Sequence, residues 1–503
     1  MKTTRAGGIL IHLTSLPGSF GIGDLESAVN FLNFLKKAGQ SCWQFLPTGP
    51  GADVFGQSPY MTLSAMAGNP LLISPQQLVD DSLIDNQELS GVPTFSEYTV
   101  DFSKVSQFKE AVLRSAYRNF LNRDDLQDSF KDFCASQSWL DDYSLYMSLR
   151  EKHDQMPWFR WPKKIARRDP DALSDAAGDL SDAVKYHKFV QFVFFRQWSA
   201  FRHLAAESGI KLIGDIPIYV GLDSADVWAN QKCFDLDSKT LRPLHVAGVP
   251  PDYFSKTGQR WGNPLYLWDK GGDTGKQLYG WWKQRFAVLA QLVDVVRIDH
   301  FRGFESYWQI PATEKTAVNG KWVAGPGIHF FEKVGDAISN LEIIAEDLGT
   351  ITLEVLALRD SLGYPGMKIL QFAFDSDAKN LYLPHNFETS NCIVYTGTHD
   401  NDTTVGWYLD ENVAQESKDR MRRYANCDGT AIHKDCIRLA YSSVAKLAII
   451  PMQDVLGFGS DCRMNTPSTN SSNWIWRCAR EFIRNDVAEY LRREIQFYGR
   501  GRR

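Results

Sequence analysis

Eight short apolar runs, each ending in polar or glycine-rich residues, recur along this chain of 503 residues. They are "GGILIHLTSL" (7–16), "SCWQFLPTG" (41–49), "IKLIGDIPIYV" (210–220), "LVDVVRIDHF" (292–301), "LEIIAEDLG" (341–349), "GMKILQFAF" (366–374), "NCIVYTGTHD" (391–400) and "AKLAIIPMQDVLG" (445–457). Short runs of nearly continuous apolar character read as strands buried on both faces, the pattern of a parallel sheet. Helical patterns such as "LESAVNFLNFLKKAG" (25–39) and "TITLEVLALRDSLG" (350–363) separate several of them. Eight strands alternating with helices predict an α/β chain folded as a (β/α)8 TIM barrel, with a doubly wound open sheet as the alternative.

Two intervals are too long for simple crossovers. Residues 51–208 hold stretches such as "FKEAVLRSAYRNFL" and "VKYHKFVQFVFFRQWSAFRHLAAES", which predict a mostly helical insertion after strand 2. Residues 221–290 are rich in Gly, Pro, Trp and Tyr and predict a loop-rich insertion after strand 3, lying over a site. The remaining pieces are 1–50 with strands 1 and 2, 209–220 with strand 3, and 291–503 with strands 4–8 and C-terminal helices.

Composition narrows the partners. A formal charge of −5, from 55 basic and 60 acidic residues, argues against nucleic acid. The basic end "GRGRR" (499–503) is short and lacks interleaved aromatics, so it reads as a frayed tail. No apolar stretch of about 18 residues exists to span a membrane, and the N-terminal apolar run is too short for a signal peptide. The eight cysteines include no CxxC pair and no Cys/His cluster at zinc spacing. Reduced thiols in a cytoplasmic protein are the expectation. Nothing in the sequence bears on oligomeric state.

The chemistry collects at the ends of the runs. In "VVRIDHFRG" (295–303), Val295, Arg297 and Asp299 share one face of a strand, and Val296, Ile298 and His300 the other. Arg297 would hold Asp299 ionised. Asp215, Glu346, Asp347, His399, Asp400, Gln453 and Asp454 stand at the ends of other runs, where a barrel assembles its active site. Any one of these carboxylates could equally cap a following helix, and Asp347 is expected to do that or to support a neighbour. His300 is as compatible with a supporting role as with ligand binding.

Taken together, Asp299, Glu346 and Asp400 at the ends of strands 4, 5 and 7 suit glycosidic-bond cleavage. One acid must be ionised to attack the anomeric carbon and another protonated to release the leaving oxygen. Glu346, beyond the apolar "EIIA", is expected to have a raised pKa. Competing motifs fail: "GGDTGKQ" (271–277) has Gln277 where a phosphate loop needs Ser or Thr. "GPGADVFG" (49–56) lacks dinucleotide spacing, "DSDAKN" (375–380) has Asn380 where a calcium loop needs Gly, and no GxSxG is present.

"RIDHFRGFESYW" (297–308), "AEDLG" (345–349) and "YTGTHDNDTTVGW" (395–407) resemble the signature segments of the 4-α-glucanotransferases. These are glycoside hydrolase family 77 of the α-amylase clan. The likeness extends through "SPYMTLSAMAGNP" (58–70), "GDIPIYV" (214–220), "GVPPDYFSKTGQRWGNPLY" (248–266), "GYPGMKILQFAF" (363–374) and "GSDCRMNTPSTNSSNW" (459–474). The resemblance implies a barrel with insertions that acts on α-1,4-glucans and malto-oligosaccharides, with no organic cofactor and no catalytic metal. It implies Asp299 as nucleophile, Glu346 as general acid/base and Asp400 as transition-state stabiliser. Tyr60 is implied as a platform for the −1 sugar, with polar contacts from Ser58, Asp215, Arg297, His399 and Asn465. Phe254 and Trp261 would lie in a loop that closes over the glucan, and Phe55 replaces a Tyr that some relatives use at a second glucan site. The alternatives are a hydrolase with the same acids, and a barrel that binds glucan without turning it over.

Overall fold

A computed structural model describes residues 5–251, 255–268, 270–469 and 472–501. Eight parallel strands form the central sheet: β1 (Ala6–Leu10), β2 (Cys42–Gln44), β3 (Lys211–Pro217), β4 (Val295–Asp299), β5 (Glu342–Ala345), β6 (Gly366–Ile369), β7 (Cys392–Tyr395) and β8 (Leu447–Pro451). Each lies within one of the eight apolar runs. They hydrogen-bond in the order β6-β7-β8-β1-β2-β3-β4-β5. At the remaining seam, between β5 and β6, the Ala345 amide donates to the Pro365 carbonyl at 3.0 Å. That bond curls the sheet into a barrel, and the open-sheet alternative is set aside.

The helices that cover the barrel follow from their sequences. Leu25–Lys37 starts at Asp24, whose carboxylate accepts from the Ser27 amide at 3.1 Å, and ends in Lys36 and Lys37. Leu25, Ala28, Phe31, Leu32 and Leu35 form its buried stripe. Asn485–Phe497 lies beside it, with Lys37 Nζ donating to Asn485 Oδ1 at 3.2 Å.

Between β2 and β3 the chain is helical, but its last helix belongs to the barrel wall. Ser181–Glu207 packs Trp198 against Phe45 and Phe201 against Trp43, with ring centroids 5.8 and 5.7 Å apart. The segment 221–290, expected to be loop-rich, likewise ends in a wall helix, Gly272–Leu292. It also carries two strands of a second sheet.

That sheet has four antiparallel strands in the order Gln259–Pro264, His245–Val249, Ser306–Pro311 and Lys321–Ala324. It draws on the connections after both β3 and β4, so residues far apart in sequence pair, as Gly248 does with Trp308. A Cβ at Gly248 would sit 2.2 Å from the Gln259 carbonyl, so the close pairing there needs glycine.

The C-terminal expectation is corrected. Arg500 is fully buried, donating from Nε to the Tyr441 carbonyl at 2.7 Å and from Nη1 to the Ala6 carbonyl at 3.1 Å. A buried guanidinium needs acceptors, and the carbonyls at the N-terminal end of the barrel supply them.

Candidate active site

β3 and β4 pair in register, Asp215 beside Arg297 and Pro217 beside Asp299. β4 and β5 pair Arg297 with Ile344, and the Glu346 amide donates to the Ile298 carbonyl at 3.0 Å. Continuing that register sets Asp299 and Glu346 at adjacent strand ends on one face.

Arg297 is buried between two carboxylates. Its Nη1 lies 2.5 Å from Asp215 Oδ2 and 3.0 Å from Asp299 Oδ1. Asp215 Oδ2 also accepts from the Tyr60 hydroxyl at 2.7 Å, while Asp215 Oδ1 is buried without a partner. Burial raises the Asp215 carboxyl above its ordinary range, against the pull of Arg297.

Glu346 receives two amides, His300 N–H at Oε2 (2.7 Å) and Leu348 N–H at Oε1 (2.8 Å). Burial pushes its pKa up to about 8; Arg297 opposes the rise, the charge of Asp299 adds to it, and the two amides oppose it. Asp347 caps no helix. It accepts from Arg359 Nη1 at 2.5 Å and from the Met367 amide at 2.7 Å, tying the loop after β5 to β6.

Asp400 is not the last residue of a strand. β7 ends at Tyr395, and residues 396–403 form a polar turn held through Thr398 and Asn401. Asp400 is exposed at its tip. Asn465 Nδ2 donates to Asp400 Oδ1 at 2.6 Å, and Arg463 donates to the Asp400 carbonyl at 3.0 Å.

His399 is buried and stacked on Tyr60, with ring centroids 5.2 Å apart. Its Nε2 lies 2.8 Å from the Tyr60 hydroxyl and 3.3 Å from Asp400 Oδ2. Because the tyrosine proton goes to Asp215, Nε2 is the donor in the Tyr60–His399 pair. Burial lowers the His399 pKa, against the pull of Asp400, and so favours the neutral ring.

Tyr60, Asp215, Arg297, Asp299, Glu346, His399, Asp400 and Asn465 therefore share one mouth of the barrel. Ser58 Oγ accepts from the Tyr60 amide at 3.3 Å and so serves the local turn. Trp261 is half-buried on the Gln259–Pro264 strand, edge-on to His300 at 4.8 Å. Phe254 lies outside the described residues. Arg463 was missed from sequence, because its contact is to a backbone carbonyl that no motif announces. A pocket of about 500 Å³ opens beside the loop after Glu346, lined in part by Gly349, Thr350, Phe372, Leu381 and Tyr382.

With this geometry, the comparisons with known proteins decide the family. A family model described as 4-alpha-glucanotransferase matches residues 11–482. The chain belongs to the 4-α-glucanotransferase family. It is 48% identical over 506 residues to a 4-alpha-glucanotransferase of Synechocystis, covering 99% of each chain. It is 45% identical to that of Thermus thermophilus, covering 95% of each. The amylomaltase from Streptococcus agalactiae, solved in complex with acarbose, superposes with a TM-score of 0.94 at 36% identity, over 99% of this chain and 100% of that one. The chain is thus an enzyme of this family.

Among the described residues no group of three or more His, Cys, Asp or Glu side chains could hold a metal ion. None of their helices is long and apolar enough to cross a membrane.

Proposed function

We propose that this 4-α-glucanotransferase is a retaining enzyme that moves a segment of an α-1,4-glucan to the 4-hydroxyl of an acceptor glucan or glucose. Asp299 attacks the anomeric carbon, and the bond from that carbon to the leaving oxygen breaks. The proton of Glu346 passes to that oxygen, leaving a covalent β-glycosyl ester on Asp299. Glu346 then takes the proton of the acceptor 4-hydroxyl as its oxygen attacks the same carbon. The ester breaks, and a second inversion restores the α configuration.

One observation carries the division of labour. Two carboxyl groups stand at adjacent strand ends, one bonded to a buried guanidinium and the other raised to about 8. The first suits a nucleophile and the second an acid that becomes a base. Asp400, anchored by Asn465 and facing His399 Nε2, is read as the group that steadies positive charge on the ring. Tyr60 gives the −1 sugar an aromatic face, with Asp215, Arg297 and His399 as polar contacts. Trp261 and Phe254 are read as acceptor-side aromatics, and the pocket beside Gly349 and Thr350 gives an acceptor chain room.

Incubating the pure protein with maltotriose tests the reading. Longer oligomers with glucose support transfer. Glucose and maltose without longer products mean hydrolysis, and unchanged maltotriose means binding alone.

A further inference from the structure

His300 has a backbone that its neighbours do not share. It follows the last residue of β4 with φ 53° and ψ 48°, the left-handed region that side chains other than glycine adopt at a cost. The turn aims the His300 amide at Glu346 Oε2, 2.7 Å away. Main-chain bonds stitch the same turn to Glu346 on both sides. The Glu346 amide donates to the Ile298 carbonyl at 3.0 Å, and the Phe301 amide to the Glu346 carbonyl at 3.2 Å. The carboxyl is therefore aligned by whatever holds residues 299–301 in this shape.

The His300 ring is one such hold. It packs over Gly303, where a Cβ would come within 3.1 Å of its Cδ2. On its other flank it meets the Trp261 indole at 4.8 Å, nearly perpendicular. Its Nε2 is buried without a partner among the described residues, so the packing against Gly303 and Trp261 helps to hold the ring. Burial lowers its pKa to about 3, so the ring stays neutral and contributes no charge to the site. Trp261 belongs to a strand of the second sheet and donates Nε1–H to Gln259, at 3.1 Å.

We propose that His300 is a positioning residue that couples the seat of the Gln259–Pro264 strand to the alignment of the Glu346 carboxyl. When the indole is seated, the ring is trapped and the amide bond to Glu346 is held. When the strand lifts, the turn relaxes towards ordinary backbone and the amide turns away. The site then has an aligned proton donor only while the second sheet is docked. This rests on reading Glu346 as the acid/base.

The predicted readout is the alkaline limb of kcat/KM for maltotriose disproportionation. The charged and titratable groups around Glu346 are Arg297 and Asp299 on β4, Asp347 beside it, and Tyr382 across the pocket. None of these is altered by the variants, and His300, which is altered, is neutral throughout this limb. Losing the His300 amide removes a bond to the ionised form, so the limb moves to higher pH.

Four proteins are compared: the unaltered chain, Trp261→Ala, His300→Asn, and the double variant, each checked for fold by circular dichroism. Asn tolerates the left-handed region and keeps the amide in place while removing the ring. Trp261→Ala is expected to raise the limb by about half a pH unit and lower kcat about tenfold. In the His300→Asn background the same substitution should leave the limb where it is. Water entering in place of the indole would relieve burial and move the limb downward, so direction separates the two causes.

A downward or absent shift with raised KM would overturn the proposal and leave Trp261 as a sugar platform. An equal upward shift in both backgrounds would overturn it too. Full activity of Glu346→Gln on maltotriose would instead remove the acid/base reading on which the inference stands.

Discussion

Arg297 donates through Nη1 to Asp299 Oδ1 at 3.0 Å, from two residues earlier on the same strand. The strand period puts both side chains on one face, and the parallel neighbour adds Asp215 to the same guanidinium. Asp299→Asn is expected to lower kcat by several orders of magnitude with the fold intact, because an amide forms no glycosyl ester. Arg297→Lys should lose roughly 100-fold or more, since the shorter lysine stem leaves its ammonium short of the point from which Nη1 reaches both carboxylates. Near-normal disproportionation by Asp299→Asn would take the nucleophile's role from this residue.

Glu346 makes the pH dependence specific. Its pKa is raised from the ordinary 4.5 to about 8, with burial the leading cause. The folded chain thus keeps a proton that the unfolded chain has lost across that window. Stability from this group must fall as pH rises from about 4.5 to about 8, and the loss is complete above it. Glu346→Gln should therefore raise Tm relative to the unaltered chain at pH about 9, with little difference at pH about 4. A Tm gain equal at both pH values would mean that burial of charge is not its origin.

The same carboxyl can be bypassed chemically. Fluoride leaves without a proton, so an α-glycosyl fluoride donor should be turned over far better than maltotriose by Glu346→Gln. Azide needs no base, and its displacement of the β-glycosyl ester should release an α-glycosyl azide. Equal loss with both donors and no azide product would point to another acid.

The barrel was legible because each strand is a short apolar run ending in polar residues, and buried parallel strands allow little else. The second sheet was not. "QRWGNP" and "KWVA" are short and contain Gly and Pro or little alternation, and the pairing that joins their hairpins into one sheet, His245–Val249 with Ser306–Pro311, spans β4, so no local period marks them. The wall helices 181–207 and 272–292 merged with the insertions because an amphipathic stripe does not say which core it faces. Within the site, Asp299 and Glu346 could be placed from strand parity alone. Asp400 was misplaced on a strand end because the polar turn "TGTHDNDT" continues directly from the apolar "CIVY". The left-handed turn at His300 left no sequence signal, since histidine is compatible with either backbone.

The helical insertion is joined to the barrel by a buried ion pair that gives a clean test of what burial costs. Asp223, in the loop after β3, accepts from Arg150 Nη1, from the Tyr146 hydroxyl at 2.9 Å and from the Trp158 amide at 3.2 Å. Both charged side chains are almost wholly removed from solvent, at 5% and 7% exposure. Arg150 also donates from Nε to Gln155 Oε1, at 3.1 Å. Asp223→Ala would strand a guanidinium among Tyr146, Trp158 and Trp161, and should destabilise the fold by about 3–5 kcal/mol in urea titration. Arg150→Met together with Asp223→Leu removes both charges at similar volume, and should recover most of that loss. Recovery would assign the cost to the orphaned charge. A double variant as unstable as Asp223→Ala would show instead that the bonds to Tyr146 and Trp158 hold the insertion to the barrel, because those are lost in both.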